Sequence, residues 1–266
     1  MIFDLQKANV WKRISSFILD MILVTIMIAG FAFLTSKIVR YDEKNQELNN
    51  YYAQYEEQYG VSFSLTGEEF SQLSEEELAK YREAYDAFNA NEEAMEAYSI
   101  VINLTLIITI VAIFLSFFAL EFIVPLILKN GQTAGKKLFG LAVVKNNSVQ
   151  INSIILFVRN VLGKCVLETM VPVFFGLLIY FANFGILGTI IIVVMLLVQI
   201  ILFVSTRFHS TIHDFLSYTT VVDFESTMIF TSEEAMIEYK KQSHQQKVLK
   251  QTINNQTLIK NEERTL

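Results

Sequence analysis

ISSFILDMILVTIMIAGFAFLTSKI, residues Ile14 to Ile38, is the stretch whose reading decides the fold. Crossing a hydrocarbon core of about 30 Å takes roughly 20 helical residues. This run exceeds that, and Asp20 is its only charge before Lys37. It lacks the short apolar core and small-residue cleavage site of a removed signal, so it reads as a retained span. The whole chain agrees: of 266 residues, 53% are hydrophobic and 18% charged, against roughly a quarter charged in soluble domains.

Three further apolar blocks follow. Ser99 to Leu128 contains INLTLIITIVAIFLSFFALEFIVPLIL, with Pro125 placed to kink or stop the helix. The third, SIILFVRNVLGKCVLETMVPVFFGLLIYFANF, starts near Asn152 and holds Arg159, Lys164, Glu168 and Pro172. It reads either as an interfacial amphipathic helix followed by a short buried half, or as one long tilted helix. Asn183 and Gly185 make a turn into the fourth block, Ile186 to Val204, which is cleanly apolar. The expected fold is all-α, a multi-pass transmembrane bundle of about four spans.

Lysine and arginine set the orientation. Lys7, Lys12 and Arg13 precede the first span. The connection from Lys129 to Gln150 carries Lys129, Lys136, Lys137 and Lys145 and no acid. Arg207 and a tail with Lys240, Lys241, Lys247, Lys250, Lys260 and Arg264 follow the fourth block. All three segments belong on the cytoplasmic side of a cell membrane, with both termini there.

The chain divides into residues 1–36 (N-terminal segment and first span), 37–98 (insert), 99–225 (the other spans and the basic turn) and 226–266 (polar tail). Residues 37–98 lie outside the membrane and hold 15 acids against 5 bases, a net of −10. Thr66 with Glu69, and Ser74 with Glu77, have capping-box spacing, so this extracytoplasmic insert is helical. On the cytoplasmic side Leu138–Val144 and Tyr218–Asp223 are β-like and placed to pair as a small ribbon.

Ionisable groups inside spans are the informative ones, because each is costly unless paired or hydrated. Asp20 lies mid-helix, and Arg13, seven residues earlier, shares its face. Glu121 precedes Lys129 by eight residues, Gln199 precedes Arg207 by eight, and Glu168 follows Arg159 by nine. Measured from these basic markers, each span carries one polar group about two helical turns in. Asp20, Glu121, Glu168 and Gln199 therefore form a candidate layer for binding an ion or solute. Arg13, Asp214 and Arg207 are candidate charge-pairing or gating residues at the rim. Hydrogen bonding between helices is the other use of such groups.

Several motifs carry less. GQTAGKK, Gly131 to Lys137, has three residues between its glycines where a phosphate-binding loop has four, and no hydroxyl follows its lysines. It reads as a basic turn beside anionic lipid. His209 and His213 have metal-sharing helical spacing without the companion glutamate of zinc proteases. The single Cys165 excludes an internal disulfide framework. No nucleophile, metal or cofactor constellation appears, so neither an enzyme nor a cofactor is expected, and no basic patch suits nucleic acid.

WKRISSFILDMIL, GQTAGKKLFGLAVV and RFHSTIHDFLSYTTVV occur in that order and together resemble the RDD family of membrane proteins, named for an arginine and two aspartates. The resemblance covers about residues 8–38 and 99–223. It aligns Arg13, Asp20 and Asp214 with the three naming residues and implies a transport function. The acidic insert and polar tail are additions to the pattern. The expected protein is thus a transporter or ion-coupling protein for a cation or small solute, with Asp20 and Glu121 at its site. Its expected associates are the lipid bilayer, that solute, and a homo-oligomer or membrane partner. The alternative is a non-transporting scaffold or regulatory subunit working through its insert and tail.

Overall fold

The computed structural model describes residues 8–182, 185–206 and 209–262. Arg207, and Asn183 of the expected turn, lie outside the described residues. Helices predominate, and four are long and apolar enough to cross a membrane: α1 (Val10–Ile38), α5 (Glu92–Leu128), α7 (Ser153–Ile179) and α8 (Gly185–Ser205). Between and after them stand α2 (Tyr41–Tyr59), α3 (Gly67–Ser71), α4 (Glu75–Ala90), α6 (Ala134–Leu138), α9 (Ile212–Leu216) and α10 (Glu233–Glu262). Large apolar side chains of α8, including Ile186, Ile190, Leu196, Ile200 and Val204, are exposed, as lipid-facing residues are.

The chain forms two compact units. One comprises Thr25–Ser116; the other takes the chain up to Val24 and from Phe117 onward. In the first, both expected capping boxes are present. Thr66 Oγ1 accepts from the Glu69 amide at 3.3 Å while Glu69 Oε2 accepts from the Thr66 amide at 2.8 Å. Ser74 and Glu77 repeat the pattern at 3.3 and 2.8 Å. Helix α2 stops at Gly60, whose φ of +64° suits a residue without a Cβ. Leu48, Tyr55, Phe88, Ala94, Ala97 and Val101 form this unit's core.

In the second unit the third apolar block resolves as one helix. Asn152 caps it, its Oδ1 accepting from the Ile155 amide at 2.8 Å. Within α7 the residues Val158–Met170 are π-helical, and within α5 so are Phe118–Ile123. Each wide stretch runs up to one of the chain's two prolines, Pro172 and Pro125. A proline lacks an N–H and crowds the carbonyl four residues back, and the wider turn is one way for a helix to accommodate it.

The ribbon forms as expected. β1 (Leu141–Lys145) pairs antiparallel with β2 (Thr219–Asp223), Leu141 opposite Asp223 and Val143 opposite Val221. It begins three residues later than its apolar text because α6 runs to Leu138 and Gly140 then turns the chain at φ +64°.

Candidate functional site

The second unit buries Asp20, Glu121, Arg159, Asn160, Lys164 and Asp214 in a network of hydrogen bonds and ion pairs. Asp20 leaves α1 and reaches the GQTAGKK turn, where one carboxylate oxygen accepts from the Thr133 hydroxyl at 2.5 Å and the other from the Gly135 amide at 2.8 Å. Thr133 in turn caps α6, accepting from the Lys136 amide at 3.2 Å and from its ammonium at 3.3 Å. Only glycine fits at 135. A Cβ there would sit 2.8 Å from Asp20 Oδ1 and against the Ser16 carbonyl oxygen. The basic turn is thus a docking element, and the first-span aspartate is what it docks on.

Glu121, 2% exposed, lies in the π stretch of α5. Its Oε1 pairs with Lys164 of α7, while its Oε2 is buried without a hydrogen-bond partner among the described residues. In an α-helical ladder the Glu121 backbone carbonyl would look to residue 125, a proline with no N–H, and the Asn160 side-chain amide donates to it instead. The two π stretches therefore meet through both the side chain and the backbone of one residue.

Arg159, 1% exposed, donates to Asp214, to Thr219 Oγ1 at 3.0 Å and to Asn160 Oδ1 at 3.2 Å. Arg13 approaches the other Asp214 oxygen at 3.6 Å and lies 5.9 Å from the Phe203 ring centroid. Burial opposes ionisation of Asp214, but Arg159, the neighbouring His213 and Arg13 outweigh it and hold the carboxyl below its ordinary range. The partner of Arg13 is the second aspartate, and the partners of Asp20 are the turn.

Glu168 and Gln199 both serve the start of α9. The Ile212 amide donates to Gln199 at 3.1 Å and the His213 amide to Glu168 at 2.8 Å, so free amides of a helix N-terminus find acceptors on two other helices. The second Glu168 oxygen lies 2.7 Å from His213 Nδ1. Burial pulls His213 below its ordinary pKa, against the attraction of Asp214 and Glu168. His209 contacts the Phe203 carbonyl at 2.9 Å.

A cavity of about 230 Å³ opens within this network. Its charged lining is Arg13, Lys136, Arg159, Lys164 and Glu168, with His213, Gln199, Ser16 and Thr211 beside them. Asp20, Glu121 and Asp214 stand behind the lining, each bonded to a residue that forms it or to the turn that carries one. Lys136 has no carboxylate within ion-pair distance among the described residues. Burial lowers its pKa to about 8, with Glu121 and Asp20 working in the opposite direction.

Of the sequence-derived candidates, Arg13, Glu168 and Gln199 line the cavity. Asp20, Glu121 and Asp214 organise it, and Arg207 is outside the described residues. On sequence Arg159 is only a depth marker, Lys164 only an interruption of the third apolar block, and Lys136 part of a basic turn beside lipid. The available signal was the presence of two bases and an asparagine in an otherwise apolar block.

A family model described as RDD family matches residues 7–218, far more than half the chain, with the acidic insert inside the matched range and the whole of the polar tail beyond it. No curated protein and no solved structure matches the chain.

Proposed function

This chain belongs to the RDD family, and from that premise we propose that it is a transporter moving a small anionic solute across the membrane together with a proton. The observation that carries the reading is the cavity, where four cationic side chains face one carboxylate. Of the two expected solute classes, a small solute bearing a carboxylate or phosphate suits that lining better than a metal cation does. Lys136, Lys164, Arg13 and Arg159 would hold it, and Lys136 is the one with no competing ion pair among the described residues.

Glu121 is the proposed proton carrier. Protonation at its unpartnered Oε2 cancels the charge that holds Lys164, and the freed ammonium turns to the solute. Asp20 positions the turn bearing Lys136. Asp214 holds Arg13 and Arg159 apart from the solute until it arrives. We place both termini and the basic turn on the cytoplasmic side of the cell membrane, as the lysines and arginines of the connections support. Four spans enclose little space, so a second copy of the chain would complete the pathway. The reading is of a carrier and not of an enzyme.

The test is proton movement in proteoliposomes containing a pH-sensitive dye, under imposed gradients of phosphate, succinate or sodium. An anion gradient should drive a pH change that Lys136→Gln weakens and Glu121→Gln abolishes. A parent protein silent to every gradient, or responsive to sodium alone, overturns the proposal. The completeness of the pairing around Asp20 and Asp214 supports a second reading, a scaffold acting through the insert and tail. There, deletion beyond Asp223 removes function and Glu121→Gln does not.

A further inference from the structure

The acidic insert contains a larger cavity, of about 640 Å³, lined from α2 by Asn49, Tyr52, Ala53 and Glu56 and from α4 by Tyr81, Tyr85, Phe88 and Asn89. Phe63, Ser64, Met95 and Tyr98 complete it, all within the same compact unit. Its volume falls in the range of small-molecule sites, roughly 300–1,000 Å³. The lining includes six aromatic rings and only one charged group, the carboxylate of Glu56.

Four of the six rings, Tyr52, Phe63, Tyr81 and Phe88, form a continuous array. Tyr52 stacks on Phe88 at 5.1 Å between centroids, Phe63 lies 5.6 Å from Tyr52, and Tyr81 meets Phe63 edge-on at 5.7 Å. Core packing accounts for Phe88, but not for the tyrosine hydroxyls. Those of Tyr52, Tyr81, Tyr85 and Tyr98 make no hydrogen bond among the described residues. The pKa of Tyr52 is raised by burial first, then by Tyr98, Tyr85 and Tyr81, which places the four phenols together. Glu56 is fixed by the Phe63 amide, which donates to its Oε1 at 2.5 Å.

We propose that this cavity binds a small organic cation, a protonated amine or quaternary ammonium on an apolar body. Aromatic faces attract a cation within about 6 Å of the ring centroid, the apolar body fills the volume, and Glu56 supplies the counter-charge. The net charge of −10 over residues 37–98 raises the local concentration of cations and disfavours anions. This proposal is independent of the transport reading, since it rests on residues that reading does not use.

Titration calorimetry on the full chain in nanodiscs tests it, with 2-phenylethylammonium as ligand and 2-phenylethanol and 3-phenylpropionate as its neutral and anionic counterparts. The ammonium should bind at least about tenfold more tightly than the alcohol, and the carboxylate should not bind. Glu56→Gln, which keeps the acceptor for the Phe63 amide, should remove most of that preference. Tyr85→Leu, at a residue 52% exposed, should weaken the ammonium about tenfold with an unchanged circular dichroism spectrum. Equal binding of alcohol and ammonium, indifference to both substitutions, or capture of a basic peptide without the ammonium overturns the proposal.

Discussion

Replacing Asp20 with Asn tests whether the first-span aspartate acts through the turn it holds. The carboxylate accepts two hydrogen bonds, at 2.5 and 2.8 Å, and bonds to a charged group contribute about 1.5–3 kcal/mol each. An asparagine keeps an oxygen for the Gly135 amide but offers an NH2 to Thr133. The Thr133 oxygen already accepts from the Lys136 amide and ammonium, so that bond is lost. The expected cost is about 2 kcal/mol. Gly135→Ala attacks the same contact from the other side. Its methyl would lie 2.8 Å from Asp20 Oδ1 and against a backbone carbonyl that cannot swing away, costing about 1–3 kcal/mol. Backing the turn away relieves the methyl and breaks the bonds together. Once either substitution has moved the turn, the other costs less, by about 1 kcal/mol of coupling. Unfolding in mixed detergent micelles, followed by fluorescence of Trp11, the chain's one tryptophan, gives the energies. Hydrogen exchange over residues 131–138 reports the turn itself. Costs that add within about 0.5 kcal/mol, or an Asp20→Asn protein whose turn exchanges as slowly as the parent's, would refute the docking role.

Asn160→Ala should cost about 1–3 kcal/mol by removing the donor to the Glu121 carbonyl, and Pro125→Ala in the same chain should recover part of it by restoring an N–H; the same unfolding assay reads both. Arg159→Met alone should destabilise by about 3–5 kcal/mol, because Asp214 is left buried with a weaker partner, whereas Arg159→Met with Asp214→Leu should cost distinctly less. The pH dependence of anion-driven flux follows from Lys136, whose lowered pKa means its ammonium is lost as pH rises through about 8 and not near 10.5. Flux should fall across that window in the parent and stay level in Lys136→Arg; a parent profile flat from pH 7 to 9 excludes Lys136 as the solute's partner. His213 has the opposite consequence for stability. Its folded pKa is below the unfolded value, so unfolding takes up a proton and stability declines as pH falls below about 6.5, which thermal melts at pH 5.5 and 7.5 would detect.

The spans, the capped helices of the insert and the ribbon were legible because each is written in a local pattern: apolar length, S/T-x-x-E spacing, short runs containing consecutive β-branched residues. The partners of the buried polar groups were not. Counting fixes the direction of a side chain only while the helix keeps 3.6 residues per turn, and a π turn inserts a residue and rotates everything after it. Thirteen residues of α7, from Val158 to Met170, are wound that way, and they include Arg159, Asn160, Lys164 and Glu168. On a regular helix Arg159 and Lys164, five apart, would diverge by about 140°; in this stretch both line one cavity. Arg13 and Asp20, seven apart on a regular helix, do share a face as expected, yet they use different partners, Asp214 and the 133–135 turn. Both partners come from segments outside the spans: the 131–138 turn brings the Thr133 and Gly135 donors to Asp20, and α9 brings Asp214 to Arg13 and Arg159. The π winding of α7 and the folding of those segments onto the spans therefore act together: without the first, Arg159 and Lys164 would diverge, and without the second, Asp20 would lack its donors and Arg13 and Arg159 their shared carboxylate.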